Sequence, residues 1–444
     1  MLLLICFAVL VAASLAVWRL QPPADPQGRL VLTWVSDLNP LRTEQAKLFE
    51  KLHPNVRVNV DPDNGGVEKV IVQSLAGVGP DVYDAFDTFQ TVAYVQSGVA
   101  LDVSSKLPQE GIDLKKEVYP GTFNTCFYEG KAYGVPTNVA VDGVWYHKDL
   151  LKAAGVEPPK TPWTWDKLIP IAQKLTLKNP DGTVRQYGFL YDNWNWADFF
   201  ATFGALVFSP DGSRCVLDSK PAIDAVQVMH DLVYKYHVSP SPVEQSSMAT
   251  QGGFGSGTIT FFGAKRGAMA LGGRWWLSTL RSYKGLDMGV LESPYGTQRK
   301  YHMYGRAVLV NPSSPHLREA LEFQKFMADP QYLALINHQA DGIAAFERAN
   351  YLPSFEFDPD HPDEKDNVVW RDIAARGIGW SVSPYLNANT ASKLVQDQID
   401  LVLADQKTAA QAMRDASKNI EEAMKVSLRD DPALKKRYEQ AGGR

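Results

Sequence analysis

The residues best suited to chemistry are aromatic and hydrogen-bonding side chains gathered where strands are expected to end. Trp34 and Asp37 follow a first apolar run, and Asp84, Phe86 and Asp87 close a third. Farther along, Asp192, Trp194 and Trp196 lie in the run Tyr191-Asp192-Asn193-Trp194-Asn195-Trp196, and Arg274, Trp275 and Trp276 follow the strand-like Ala268 to Leu271. In open α/β sheets ligands settle outside the carboxyl ends of the strands, so these positions form a candidate ligand-binding set. Flat rings beside Asp, Asn and Arg suit a ligand with apolar C–H faces and rims of hydroxyls, which describes a sugar. The competing assignment for any single ring is the hydrophobic core. For Asp37, Asp84 or Asp87 it is the cap of the helix that follows.

Catalytic signatures are missing from the sequence. There is no H-E-x-x-H pair, no G-x-S-x-G elbow and no G-x-x-x-x-G-K-[ST] phosphate loop. Gly252-Gly253-Phe254-Gly255-Ser256-Gly257 misses the G-x-G-x-x-G spacing and reads as a surface loop. Asp61-Pro62-Asp63-Asn64-Gly65-Gly66 starts like a calcium loop, but Gly65 replaces an oxygen ligand and Val72 stands where the closing carboxylate belongs. No catalytic residue, metal or cofactor is therefore expected.

The elements that must position the aromatic set alternate. Leu30 to Val35 reads as a strand, and Asn39-Pro40 opens a helix with Leu41, Leu48, Phe49 and Leu52 on one face. Val56, Val58 and Val60 alternate as a second strand, Val67 to Leu75 is helical, and Asp81 to Ala85 is a third strand. A βαβαβ unit of this kind implies an open α/β sheet. The alternation returns with a strand at Gly143 to His147, a helix at Trp165 to Leu175, a strand at Gly188 to Tyr191 and a helix at Pro221 to Tyr236. Phe355 to Asn367 is acidic and aperiodic, hence a surface loop, and Asn389 to about Leu428 is one long helical stretch.

With 444 residues the chain has room for two or three domains at about 150 residues each. A net charge of −5 lacks the basic surplus that phosphate neutralisation requires, which argues against a nucleic-acid partner. Leu2 to Val17 is an apolar run, about 16 residues, between the length of a signal-peptide core and that of a membrane span, so residues 1–20 are a signal peptide or an uncleaved anchor. Either places the body of the protein outside the cytoplasmic membrane, in the periplasm or on the extracellular face. Beyond Cys6, only Cys126 and Cys215 remain, as a single disulfide or as two separately buried thiols.

Motifs spread over nearly the whole mature chain resemble one family. They include Leu32-Thr33-Trp34, Phe49-Glu50-Lys51-Leu52-His53-Pro54-Asn55-Val56, Gly79-Pro80-Asp81-Val82 and Gly98-Val99-Ala100-Leu101-Asp102. They continue with Glu129-Gly130-Lys131-Ala132-Tyr133-Gly134-Val135-Pro136, Trp145-Tyr146-His147-Lys148-Asp149-Leu150, Thr164-Trp165-Asp166-Lys167-Leu168 and Lys265-Arg266-Gly267-Ala268-Met269. In this order they resemble the extracellular solute-binding proteins of carbohydrate ABC importers, a family that includes maltose- and glycerol-3-phosphate-binding proteins. The resemblance implies a type II periplasmic-binding fold, two discontinuous α/β lobes around a ligand cleft. The lobes would comprise residues 29–138 plus 283–330 and residues 139–282 plus 331–444, with crossovers near 136–140, around Ser282 and near Asp329. It further implies a monomer that closes on a mono- or oligosaccharide and docks on a membrane permease, with no catalysis of its own. Two other readings stay open: a ligand-sensing lobe for a membrane receptor, and an extracellular glycosidase using carboxylates such as Asp84, Asp87 and Asp192.

Overall fold

The computed structural model describes Val11 and residues 25–62, 66–248 and 257–442. The expected targeting segment (all but Val11), most of the glycine-rich run and the middle of the 61–66 turn lie outside the described residues. Among the described residues no helix is long and apolar enough to cross a membrane.

The first half folds as the βαβαβ pattern requires. Strand β1 (Leu30–Val35) lies between β2 (Val56–Asp61) and β3 (Val82–Ala85), both parallel to it. The crossovers are helix α1 (Leu41–Leu52), which buries Ala46 and Phe49, and helix α2 (Val67–Leu75), which buries Val67 and Val70. Helix α3 (Thr88–Gln96) follows β3 directly and is capped by Asp87, whose carboxylate accepts the Gln90 N–H at 2.8 Å. Short strand β4 (Gly134–Pro136) belongs to the far edge of this sheet.

A second sheet is built on β5 (Asn138–His147), ten residues buried along their whole length. Strand β6 (Val184–Leu190) runs parallel to β7 (Gly267–Gly273), which is antiparallel to β5. Helix α4 (Trp165–Leu175) lies so close over β6 that a Cβ on Gly188 would stand 1.9 Å from the Ala172 carbonyl oxygen, so only glycine fits there. The loop after β6 enters helix α5 (Trp196–Phe203), and helix α6 (Lys220–Tyr234) packs beside it.

The other edge of β5 is covered by β8 (Met288–Glu292) and β9 (Tyr301–Tyr304). Strand β10 (Ala307–Val310) then joins the first sheet, antiparallel to β3 and β4. The chain therefore leaves the second sheet at Gly305-Arg306, later than the expected crossover around Ser282. Met288–Glu292 and Met303–Tyr304 both pair with β5, which keeps this stretch on the second sheet rather than the first. Helices α7 (Leu317–Phe326) and α8 (Pro330–Gln339) bury Phe323, Phe326, Tyr332 and Ile336 in the core shared with β1 and α1. The last crossover follows α8: Asp341-Gly342 leads to Ile343–Ala344, which pairs with Val139 and Asn138 at the start of β5. Expected near Asp329, it is set later by α8, whose apolar face belongs to the first core.

Helix α9 (Asn367–Ala374) packs on β5, and Trp370 meets Trp145 with ring centroids 5.1 Å apart. The long C-terminal helical stretch is two helices, α10 (Ala388–Leu403) and α11 (Ala409–Asp430), with α12 (Pro432–Gln440) behind them. It breaks because Asp405 takes a left-handed φ of 57° and Thr408 with Gln411 forms a capping box that starts α11. The 355–367 stretch is a loop, as expected, apart from the helical turn Pro353–Glu356 at its start. Cys126 and Cys215 are separate, free and buried, and burial pushes the Cys215 thiol up to about 11.

Candidate ligand site at the junction of the two sheets

The three crossovers meet at one point. The Thr137 N–H donates to the Arg306 carbonyl at 2.8 Å, and the Arg306 N–H donates to Asn138 Oδ1 at 3.0 Å. Asn138 Nδ2 in turn donates to the Asp341 carbonyl at 2.5 Å. A Cβ on Gly305 would stand 2.4 Å from the Asn138 carbonyl oxygen, so the two strands can pass this closely only with glycine there. The Gly305 N–H donates to the Phe86 carbonyl at 3.3 Å, which brings the end of β3 to the end of β9.

On the second sheet this junction exposes a cluster of rings. The Trp275 Nε1 donates to the Tyr304 hydroxyl at 2.8 Å, and that hydroxyl donates to Asp142 Oδ1 at 2.7 Å. Trp194 meets Tyr304 edge to face, centroids 5.8 Å apart at 81°. Its ring is 37% exposed, while Trp275 and Tyr304 are half-buried, so all three retain surface for a flat apolar ligand face. Behind them His302 stacks on Tyr304, and Trp380 packs against both His302 and Trp196. Burial lowers the His302 imidazole to about 3, so it is neutral.

Beneath the rings is a carboxylate pair. Asn195 Nδ2 donates to Asp142 Oδ2 at 2.7 Å and to Asp198 Oδ2 at 3.1 Å. Burial pushes the Asp142 carboxyl up to about 7, and burial together with the charge of Asp142 raises Asp198 well above its ordinary value. Two carboxylates in one dry pocket cannot both ionise readily, so a proton resides on the pair over the ordinary range. Asp192 starts this turn: its N–H donates to Asn195 Oδ1 at 2.8 Å, and its own carboxylate accepts the Thr258 hydroxyl at 2.5 Å.

The first sheet presents less. Asp37 is partly exposed and accepts Arg42 Nε at 2.8 Å. Phe86 and Asp87 are half-buried at the end of β3, with Asp87 occupied as the α3 cap.

Five of the expected site residues are buried instead. Trp34 is fully enclosed and donates its Nε1 to Asp84 at 2.9 Å, because the ring packs on Phe323 inside the first core. Asp84 is enclosed too, accepting from Ser36 at 2.5 Å and Arg306 at 3.2 Å, so its acceptor sites are taken by protein. Trp196 is the first residue of α5 and faces inward onto Phe200 and Trp380, its Nε1 donating to Gln396 at 2.9 Å. Arg274 clamps the last crossover, donating to Asn367 Oδ1 at 2.8 Å and to the Gly342 and Asn337 carbonyls at 2.8 and 3.0 Å. Burial lowers its guanidinium to about 10. Trp276 fills the space over Gly272, where a Cβ would stand 2.2 Å from the ring.

The missed members are Asp142, Asn195, Asp198, His302 and Tyr304. Asp142 had a signal, a carboxylate within the otherwise apolar run Asn138–His147, which is costly unless hydrogen-bonded. Tyr304 ends an aromatic strand immediately before the chain crosses at Gly305.

Residues 36–334 match the family model of the bacterial extracellular solute-binding protein. The chain belongs to that family. An uncharacterized ABC transporter extracellular-binding protein of Pyrococcus horikoshii is 30% identical over 137 residues, 29% of this chain and 30% of that protein. The sn-glycerol-3-phosphate-binding periplasmic protein UgpB of Pectobacterium atrosepticum is 22% identical over 337 residues, 69% of this chain and 70% of that protein. Across the first curated relatives the chain spans 30% to 48% of their length. Among solved structures, an ABC substrate-binding protein of Listeria monocytogenes in complex with cycloalternan is similar with a TM-score of 0.78 at 22% identity, covering 89% of this chain and 99% of that one. The solute-binding protein fold is thus that of two α/β lobes with a cleft between them, here organised on β1–β3 and on β5–β7.

Proposed function

We propose that this solute-binding protein captures a carbohydrate against Trp194, Trp275 and Tyr304 and passes it unaltered to the membrane permease of an ABC importer. The observation that carries the reading is the partly exposed ring cluster at the strand ends, beside a carboxylate pair and at the meeting of all three crossovers. Rings take the C–H face of a sugar, and Asp37 and Asp87 on the opposing wall accept from its hydroxyls when the lobes close, with Phe86 as a further apolar contact. Closure needs contacts to both walls, since a ligand with equal affinity for open and closed states shifts nothing. The Listeria neighbour's cycloalternan supports a sugar, and the ABC transporter binding-protein relatives support a transport role. The buried Asp142–Asp198 pair supports binding rather than hydrolysis, since Asn195 and Tyr304 hold its oxygens and the pair faces inward. The body works outside the cytoplasmic membrane, as a monomer, without a cofactor.

Tryptophan fluorescence titrated with a panel of mono- and oligosaccharides tests the reading, followed by chemical analysis of the recovered ligand. Saturable binding of an intact sugar is expected. Cleavage products would move the protein to the glycosidases, and the absence of any response across the panel would remove the sugar.

A further inference from the structure

We propose that His338, Asp358 and His361 form a binding site for a late first-row divalent cation, zinc foremost. The proposal is independent of the sugar reading, because none of these residues belongs to the ring cluster.

The three side chains come from two elements brought together by the fold. His338 lies in the last turn of α8, and Asp358 and His361 lie on the loop before α9, in the run Asp358-Pro359-Asp360-His361-Pro362-Asp363. Pro359 restricts the backbone between the two loop ligands, and Pro362 restricts His361 just before it, which lowers the ordering cost of holding an ion. His361 Nδ1 and His338 Nδ1 stand 2.9 and 3.1 Å from the same Asp358 oxygen. One donor atom from each residue lies within 4.8 Å of the other two. A tetrahedral zinc with bonds of about 2.0–2.1 Å separates its ligands by about 3.3 Å, so two of the three edges are already near that value. The remaining His–His edge closes by small side-chain rotations, for which partly exposed imidazoles have room.

Two imidazoles and a carboxylate favour zinc and its neighbours over calcium or magnesium, which take oxygen shells. Asp358 is buried, while both imidazoles remain partly exposed, so the carboxylate forms the floor of the site. Its other oxygen accepts the Asp360 N–H at 3.0 Å, which fixes the carboxylate in place. Asp360 Oδ2 lies 4.0 Å from His338 Nε2, the nitrogen facing away from Asp358. A carboxylate behind the free nitrogen of a metal-bound histidine is the usual outer partner that orients the ring. The last turn of α8 also presents the negative end of the helix dipole to a cation. Arg281, which donates to the His338 carbonyl at 2.9 Å, is the opposing positive charge, and Glu364 neutralises it through bonds of 2.7 and 3.0 Å.

The test is calorimetric titration of zinc chloride into the full chain after chelator treatment, with the cobalt visible spectrum as a second readout. Wild type should take one zinc per chain and show the intense cobalt bands of a tetrahedral site. His338→Ala and His361→Ala should lose at least about tenfold in affinity, and Asp360→Asn about 10–100-fold through its outer position. His230→Ala removes a different imidazole paired to a carboxylate, that of Asp405, and should bind zinc like wild type. An anomalous difference peak at the zinc edge in wild-type crystals, between His338, Asp358 and His361, would establish the site even if a variant folded poorly. Failure of wild type to bind zinc stoichiometrically, or wild-type affinity in both histidine variants, overturns the proposal.

Discussion

The backbone N–H of Arg306 donates to the side-chain oxygen of Asn138 at 3.0 Å, so one amide joins the second crossover to the first. Through Nδ2 the same amide also holds the Asp341 carbonyl on the third. Asn138→Ala should leave a buried N–H and a buried carbonyl without partners, at about 1–3 kcal/mol each. Urea denaturation should therefore show a lowered midpoint. A variant as stable as wild type would mean that the crossovers are held by their strands alone.

Arg306 also carries the electrostatics of the junction. It contacts Asp84 at 3.2 Å and Asp341 at 3.4 Å, and Arg42 contacts the same Asp341 oxygen. Burial raises the Asp341 carboxyl, but the two guanidiniums overcome it and hold the group below its ordinary value. Removing one partner of such a network strands a buried charge, so Arg306→Met should cost about 3–5 kcal/mol. Pairing it with Asp84→Asn should recover part of that loss, read as a double-mutant cycle in denaturant. Strict additivity of the two changes would show that the contact carries no coupling.

Legibility followed the physics of each element. The first βαβαβ unit was readable because Val56, Val58 and Val60 alternate and the helices keep their period, both local signals. The crossovers were not, since nothing local distinguishes Gly305 from other glycines; the switch of sheets is decided by pairing between residues far apart in sequence. Trp34, at the end of β1, and Trp194, just past β6, are the same residue type near strand ends, yet Trp34 meets Phe323 from a helix nearly three hundred residues away while Trp194 lies at the surface. Polar neighbours marked Trp194 as the exposed ring, whereas Trp196, in the same polar run, turns inward because the helix starts there and aims it at Trp380. Tyr304 is not legible as a site residue because its partners, Asp142 on β5 and Trp275 in the turn after β7, come from distant parts of the chain.

That contrast gives a paired prediction about the rings. Trp194→Ala should weaken sugar binding by about 1–3 kcal/mol and leave the melting temperature nearly unchanged, since the ring is 37% exposed. Trp196→Ala removes an enclosed ring that touches Phe200 and Trp380. It should cost about 3–5 kcal/mol of stability. Fluorescence titration and thermal melting of both variants separate the roles. If Trp194→Ala destabilised the fold while binding persisted, the exposed ring would be structural.

The Asp142–Asp198 pair sets a pH dependence whose sign follows from the raised carboxyl. Unfolded, Asp142 titrates near 3.8; folded, burial holds it at about 7, so between these values the folded state binds the extra proton. The associated stability is fully present below the unfolded value and is lost as the pH rises through about 7. Asp142→Asn cannot ionise and keeps an oxygen to accept the Tyr304 hydroxyl. Relative to wild type, the variant should therefore gain stability on going from pH 4 to pH 8, on the order of 1–3 kcal/mol, because Asp198 absorbs part of the titration. Urea midpoints across that range are the measurement. Curves that stay parallel would mean that the pair remains protonated throughout, and a gain toward low pH would mean that Asp142 is charged in the folded state.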